Sequence, residues 1–145
     1  MDHAEKIRII EKTIPIVEKM GVKVVLFKPN RAKLMLPLAL NINHIGCIYA
    51  GSLFTLGEMA GGAIFHASFD SSIFFPIVKQ LSIRFRKMAL TDVTVEVILP
   101  EDEADRLKTA AKADGKADFD LSLEIKDAND EVCSILNGTW QIRKK

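Results

Sequence analysis

Two cysteines, one tyrosine, one tryptophan and a net charge of only +1 mark what this chain does without. Cys47 and Cys133 are too few for a disulfide framework and stand at no metal-ligand spacing, so both read as buried thiols. With a single Tyr and a single Trp, no basic-aromatic platform and a pI near 7.8, the chain is not composed to bind DNA or RNA. A continuous apolar run is missing as well. The longest uncharged stretch, Leu34 to Gly57, is interrupted by Pro37, Asn41, Asn43 and His44 and closed by Glu58, which argues against a membrane span. The opening MDHAEKIRIIEK scatters charges where a secretion signal needs an apolar segment, so a cytoplasmic location is expected.

What is present is an apolar surplus. The 145 residues suit one domain, 1–145, and 48% of them are hydrophobic, with a mean hydropathy of +0.14. Balanced charge and apolar residues spread along the length exclude disorder. The charge is nonetheless segregated: Asp92 to Glu131 holds 13 acidic and 5 basic residues, net −8, leaving 15 basic against 6 acidic elsewhere, net +9. An anionic ligand should therefore approach the remainder, where Lys79, Arg84, Arg86 and Lys87 fall on one predicted strand and Arg143, Lys144 and Lys145 close the chain.

Ile7, Ile10, Ile14 and Val17 recur at helical spacing, with Pro15 placed to break or re-aim that helix and Gly21 to end it. Two β-prone runs, VKVVLF and AKLMLPL, flank a turn at Pro29 and Asn30. From Ala50 to Phe69 the residues are small or apolar on nearly every side, the pattern of a helix buried all round. Five of the eight glycines lie between Gly46 and Gly62, and each glycine costs a helix about 1 kcal/mol relative to Ala. Gly57, Gly61 and Gly62 therefore predict the close approach of another backbone or a ligand. Segments with period-two alternation follow: Leu81, Ile83 and Phe85; Val93 to Leu99; Phe119 to Ile125; and Val132 to Arg143, where a shift near Gly138 suggests a bulge. A charged, alanine-rich helix from Glu101 to Ala113 separates the second from the third. The sum is an α+β chain: about six mostly antiparallel strands curled around one long central helix, with an N-terminal helix. Its free sheet edges predict a homodimer with a continuous sheet.

The segment from Asn43 to Glu58 departs from generic core. A polar loop runs into the buried helix, whose first N–H groups, on Ala50 and Gly51, would lack partners at the positive end of the helix dipole and suit a developing oxyanion. Glu58 is the only charge between Lys33 and Asp70. Burial makes a carboxylate more basic, which a general base for water requires. The alternatives stay open: Glu58 as a hydrogen-bonded core residue, Asn43 as a turn or cap, His44 as a solvated loop residue and His66 as a packed or rim histidine. No zinc site, no Cys-His pair and no nucleophile elbow around Ser52 is supported.

At these residues the sequence resembles the hot-dog fold acyl-CoA thioesterases of the phenylacetate-degradation type, and the thioesterase domains fused behind some acetyltransferases. The resemblance runs from about Val22 to Arg143 and is most specific at Asn43 to Glu58 and at K79-Q-L-S-I-R-F-R-K-M-A89. It implies that Glu58 is the general base or nucleophile, that the Ala50 or Gly51 N–H polarises the thioester carbonyl, and that Asn43 positions the carbonyl or the water. It implies substrate contacts from Tyr49, Gly46 and His44, with Arg84, Arg86 and Lys87 as cations for the coenzyme A phosphates. The acyl chain would enter a pocket between subunits, with Leu53, Phe54 and Met59 as candidate lining. No metal and no cofactor is implied beyond coenzyme A as part of the substrate; the assembly would be a homodimer or a homotetramer. Tyr49-Ala50-Gly51 stands where many members have His-Gly-Gly, Val78 where some offer Ser or Thr, and Lys87-Met88 where a residue-Pro turn is usual. The alternatives are a non-catalytic acyl-CoA or fatty-acid binding protein and a dehydratase or hydratase, for which His44 and His66 are poorly placed.

Overall fold

The computed structural model describes residues 1–145. Asp2 caps α1 (His3–Lys12), its carboxylate accepting the Glu5 N–H at 2.7 Å. The helix breaks at Thr13 and Ile14, and Pro15 restarts it as the first residue of α2 (Pro15–Met20), where a missing N–H costs nothing. Gly21 ends α2 in the left-handed region, at φ 74°. The hairpin of β1 (Lys23–Lys28) and β2 (Arg31–Leu36) turns at Pro29 and Asn30, and a loop leads to α3 (Ala50–Ser68). Then come β3 (Phe74–Phe85), β4 (Val93–Ile98), α4 (Glu101–Asp114), β5 (Lys116–Lys126) and β6 (Val132–Lys144). The strands form one antiparallel sheet in the order β1-β2-β4-β5-β6-β3, the hot-dog arrangement that the resemblance implies.

One face of this sheet wraps α3. Leu34, Leu36, Val93, Val95, Ile125, Leu136, Trp140 and Ile142 meet Leu56, Ala60, Ala63 and Ile64 of the helix in a shared buried core. Each fully buried aliphatic side chain contributes about 1.5–3 kcal/mol. The small residues of α3 let the sheet close over it: a Cβ on Gly57 would collide with the Leu136 side chain, and one on Gly61 with the Trp140 indole. The close approach predicted at these glycines is thus made by large β6 side chains. Gly62, one residue on, has no atom beyond its own helix backbone and chain neighbours within 4 Å of where its Cβ would stand. We expect Gly61→Ala to cost about 1–3 kcal/mol through overpacking and Gly62→Ala to gain up to about 1 kcal/mol from helix propensity. Paired urea melts check both, and equal effects at the two positions would contradict this packing.

Three expectations need correction. α3 is not buried all round, because the sheet wraps one side only: Phe54 is 40% exposed, and Gly51, Thr55, Glu58, Gly62 and His66 continue a half-buried stripe. The strand bearing the basic cluster begins at Phe74 and stops at Phe85, so Arg86 and Lys87 lie beyond it. The bulge is not at Gly138. The β3–β6 register shifts between Val78 and Gln80, so Lys79 is the extra residue, whereas Leu136, Gly138, Trp140 and Ile142 alternate inward without interruption. Gly138 is small because Trp140 and Leu81 occupy the space its Cβ would need, at 2.6 and 2.9 Å.

β3 pairs with β6 on one side only, and its other edge is open for twelve residues, with Phe75, Val78 and Phe85 each 39–51% exposed.

Candidate active site

The start of α3 is fixed by the preceding loop. Asn41 is 5% exposed, and its Nδ2 donates to the Met20 and Pro37 carbonyls, both at 2.8 Å. Its own carbonyl accepts the Tyr49 N–H at 2.8 Å, while the Ile48 N–H donates to the Ala89 carbonyl at 2.9 Å. The residue before the helix is thereby tied to the end of α2 and to the loop that follows β3. Asn41→Ala would leave two carbonyls without their shared donor in a buried site, at a cost of about 1–3 kcal/mol. Thermal denaturation checks this; an unchanged melting temperature would show the pin to be dispensable.

Tyr49 provides no side-chain cap, and its carbonyl accepts the N–H groups of Ser52 and Leu53 at 3.0 and 3.2 Å. The Ala50 and Gly51 N–H groups have no acceptor. The first turn of α3 carries no acidic residue, whereas α4 opens on Glu101, Asp102 and Glu103, so the positive end of α3 stays uncompensated. A mostly apolar cleft of 320 Å³ opens there, lined by Asn43, Cys47, Ile48, Ala50 and Leu53 on one side and Phe85 to Ala89 on the other.

Asn43 borders the cleft but is largely committed to its own loop. Its Oδ1 accepts from the Ile45 and Cys47 N–H groups at 3.0 and 3.2 Å, and its Nδ2 donates to Cys47 Sγ at 3.3 Å. One Nδ2 hydrogen remains uncommitted. Tyr49, His44 and Gly46 are exposed loop residues outside the cleft lining; the Tyr49 ring folds over Gly51, where a Cβ would come within 2.5 Å of it.

The three basic candidates separate. Arg86 lines the cleft, is exposed and makes no ion pair, with its backbone N–H held by the Cys133 carbonyl at 2.8 Å. Lys87 also lines it, but its Nζ is held by Asp127, at 3.0 Å, and by Glu131. Arg84 lies on the sheet face turned away from α3, since Leu81 and Ile83 point inward.

Glu58 occupies a second groove, of 240 Å³, between α1 and α3, with Ile9, Ile10, Thr13, Ile14, Met59, Gly62, His66 and Pro76. Its carboxylate is half-buried and forms no hydrogen bond or ion pair, and burial alone raises its pKa above the ordinary Glu value. His66 in the same groove has its pKa lowered by burial and, secondarily, by Lys6, which favours the neutral imidazole. Eight residues separate Glu58 from His66, about 12 Å along the helix. The two are therefore no acid–base pair. The same spacing, about 12 Å, separates Glu58 from Ala50 on the other side. No three His, Cys, Asp or Glu side chains gather as a metal site, and no helix is long and apolar enough to cross a membrane.

Residues 4–144 match the family model described as "Putative thioesterase (yiiD_Cterm)". Among solved structures, a Pseudomonas aeruginosa protein of unknown function, described as a probable thioesterase, is 38% identical; the match covers 100% of this chain and 97% of that one, with a TM-score of 0.94. A mutant thioesterase from the same organism is 12% identical, covers 100% and 96%, and has a TM-score of 0.77. A thioesterase from Haemophilus influenzae is 11% identical, covers 89% and 82%, and has a TM-score of 0.66. At these lower identities the likeness is one of fold. Among curated proteins, none matches the chain.

Proposed function

The chain belongs to the yiiD_Cterm thioesterase family, and from that premise we propose that it hydrolyses acyl-CoA thioesters with Glu58 as general base and the Ala50 and Gly51 N–H groups as oxyanion donors. The observation that carries the reading is the pairing of an unpartnered, desolvated carboxylate with an uncapped, uncompensated helix N-terminus on the same helix. Glu58 takes a proton from water, whose oxygen attacks the thioester carbonyl. The oxyanion is held by the two N–H groups until the C–S bond breaks. The proton then passes to the departing sulfur, leaving a carboxylic acid and coenzyme A.

At about 12 Å apart, Glu58 and the N–H groups of one chain cannot reach the same carbonyl. The catalytic centre is therefore composite, with Glu58 of one subunit meeting the α3 N-terminus of the other. The open β3 edge and the exposed first turns of α3, where Phe54 is 40% exposed, are the surfaces a second copy would cover, in keeping with a homodimer. Arg86 is the cation for the coenzyme A phosphates, since Asp127 and Glu131 already engage Lys87. Asn43 offers its one free Nδ2–H to the substrate and otherwise holds the loop that presents Ala50.

The test is thiol release from a panel of short, long and aromatic acyl-CoAs by the purified protein, with its mass taken by light scattering. Turnover by a dimer supports the reading. Tight acyl-CoA binding without turnover would replace it by a non-catalytic binding protein.

A further inference from the structure

The groove that holds Glu58 has no part in the chemistry beyond that carboxylate, yet its shape is specific. Glu58, Gly62 and His66 follow one another at intervals of four along one face of α3. Gly62 leaves a hollow between the other two, with nothing beyond its own helix backbone and chain neighbours within 4 Å of its Cβ position. Ile9, Ile10 and Ile14 from α1 and the turn after it, with Met59 and Pro76, make the walls apolar. Ile14 is 43% exposed here, an apolar side chain with nothing of its own chain to cover it. His66 stands at the far end: its Nδ1 is buried without a partner. A buried N–H without an acceptor costs more than a bare lone pair, so the proton belongs on Nε2.

We propose that this groove is the acyl-chain subsite, that it takes a linear acyl group of about eight to ten carbons, and that Gly62 is its floor and His66 its end wall. The proposal rests on the thioesterase reading, because it is Glu58 that places the thioester carbonyl at one end. The rise of α3 sets the length. An extended chain advances about 3.3–3.6 Å for every three bonds, so the 12 Å or so from Glu58 to His66 holds about ten bonds. The walls carry no charge apart from Glu58, so nothing in them favours a charged acyl group over a hydrocarbon one. The imidazole ends the run because a longer chain would have to strip water from a polar ring and give nothing back.

The experiment is calorimetric binding of S-alkyl-CoA thioethers, which cannot be hydrolysed, alongside thiol release from the matching acyl-CoAs. Full burial strengthens binding about fourfold per methylene, so the unsubstituted protein should prefer the octyl over the ethyl thioether by at least about tenfold. Gly62→Leu fills the hollow and should erase that preference. His66→Ala lengthens the groove and should raise the dodecyl-to-octyl ratio by about tenfold. Opposite shifts from two positions on one helix are not produced by misfolding. An octyl-to-ethyl ratio near one in the unsubstituted protein, or one that Gly62→Leu leaves intact, would overturn the subsite. A length preference in binding without thiol release from any acyl-CoA would leave the subsite standing and sink the catalytic reading; turnover with no length preference does the reverse.

Discussion

Glu58→Gln should reduce thiol release by about 10²–10⁴-fold, the usual contribution of a positioned general base, and should at the same time raise the melting temperature. Both effects come from one cause. The Glu58 carboxylate is withdrawn from water and has no compensating partner, so its ionised form is costly in the folded protein and its pKa is raised. A group whose folded pKa is raised supports folding while it is protonated, below its unfolded pKa, and loses that support as pH rises through the folded one. At neutral pH the ionised Glu58 is therefore a liability to stability, and glutamine removes it. The same shift sets the pH profile: kcat/KM should fall on the acid side around a pKa above the ordinary Glu range. Undiminished turnover in Glu58→Gln would end its catalytic assignment; lost turnover with a lower melting temperature would make it a structural residue.

Ala50→Pro should lower kcat by about 10²–10³, as loss of a single oxyanion-hole donor does, without unfolding α3. Proline is favoured at the first helical position because that N–H has no intrahelical acceptor. The residue before it already has the extended backbone that proline demands, since Tyr49 sits at φ −59° and ψ 135°. The substitution thus deletes one N–H and little else. It also tests the composite centre. In a mixed dimer of Glu58→Gln and Ala50→Pro chains, one centre collects both defects and the other collects none. Random exchange between the two inactive proteins should restore about a quarter of the original activity if each centre spans two subunits of a symmetric dimer. If each centre lay within one chain, every one would keep a defect and mixing would restore nothing.

The parts of this structure legible in the sequence are those whose cause is local. Small apolar residues around a lone glutamate mark α3 and Glu58, and the absence of a capping side chain before Ala50 can be read directly. The first third of β3 could not be read, because Phe74 to Val78 is a continuous apolar run containing a proline and lacks alternation. An edge strand tolerates Pro76 because one of its sides makes no ladder. Gly138 misled for a related reason: glycine within a strand marks either a bulge or a space taken by a neighbour, and only the folded position of Trp140 decides. Lys87 read as a free cation because its partners, Asp127 and Glu131, lie forty and more residues further on. Asn41 read as an interruption of an apolar run, since the carbonyls it gathers come from Met20 and Pro37. The walls supplied by α1 were hidden in the same way: Ile10 and Ile14 share a helical spacing and line one groove, yet Ile10 is buried core and Ile14 is 43% exposed.

The position of Trp140 makes these experiments easier to interpret. It is the only tryptophan, 1% exposed, packed between Gly61 of α3 and the Phe119 ring, whose centroid lies 6.3 Å away. It lines neither the cleft at Ala50 nor the groove at Glu58. Its fluorescence is consequently an internal gauge of whether helix and sheet are docked, insensitive to ligand. A variant that loses activity with native Trp140 emission has lost chemistry, and one that loses both has lost its fold.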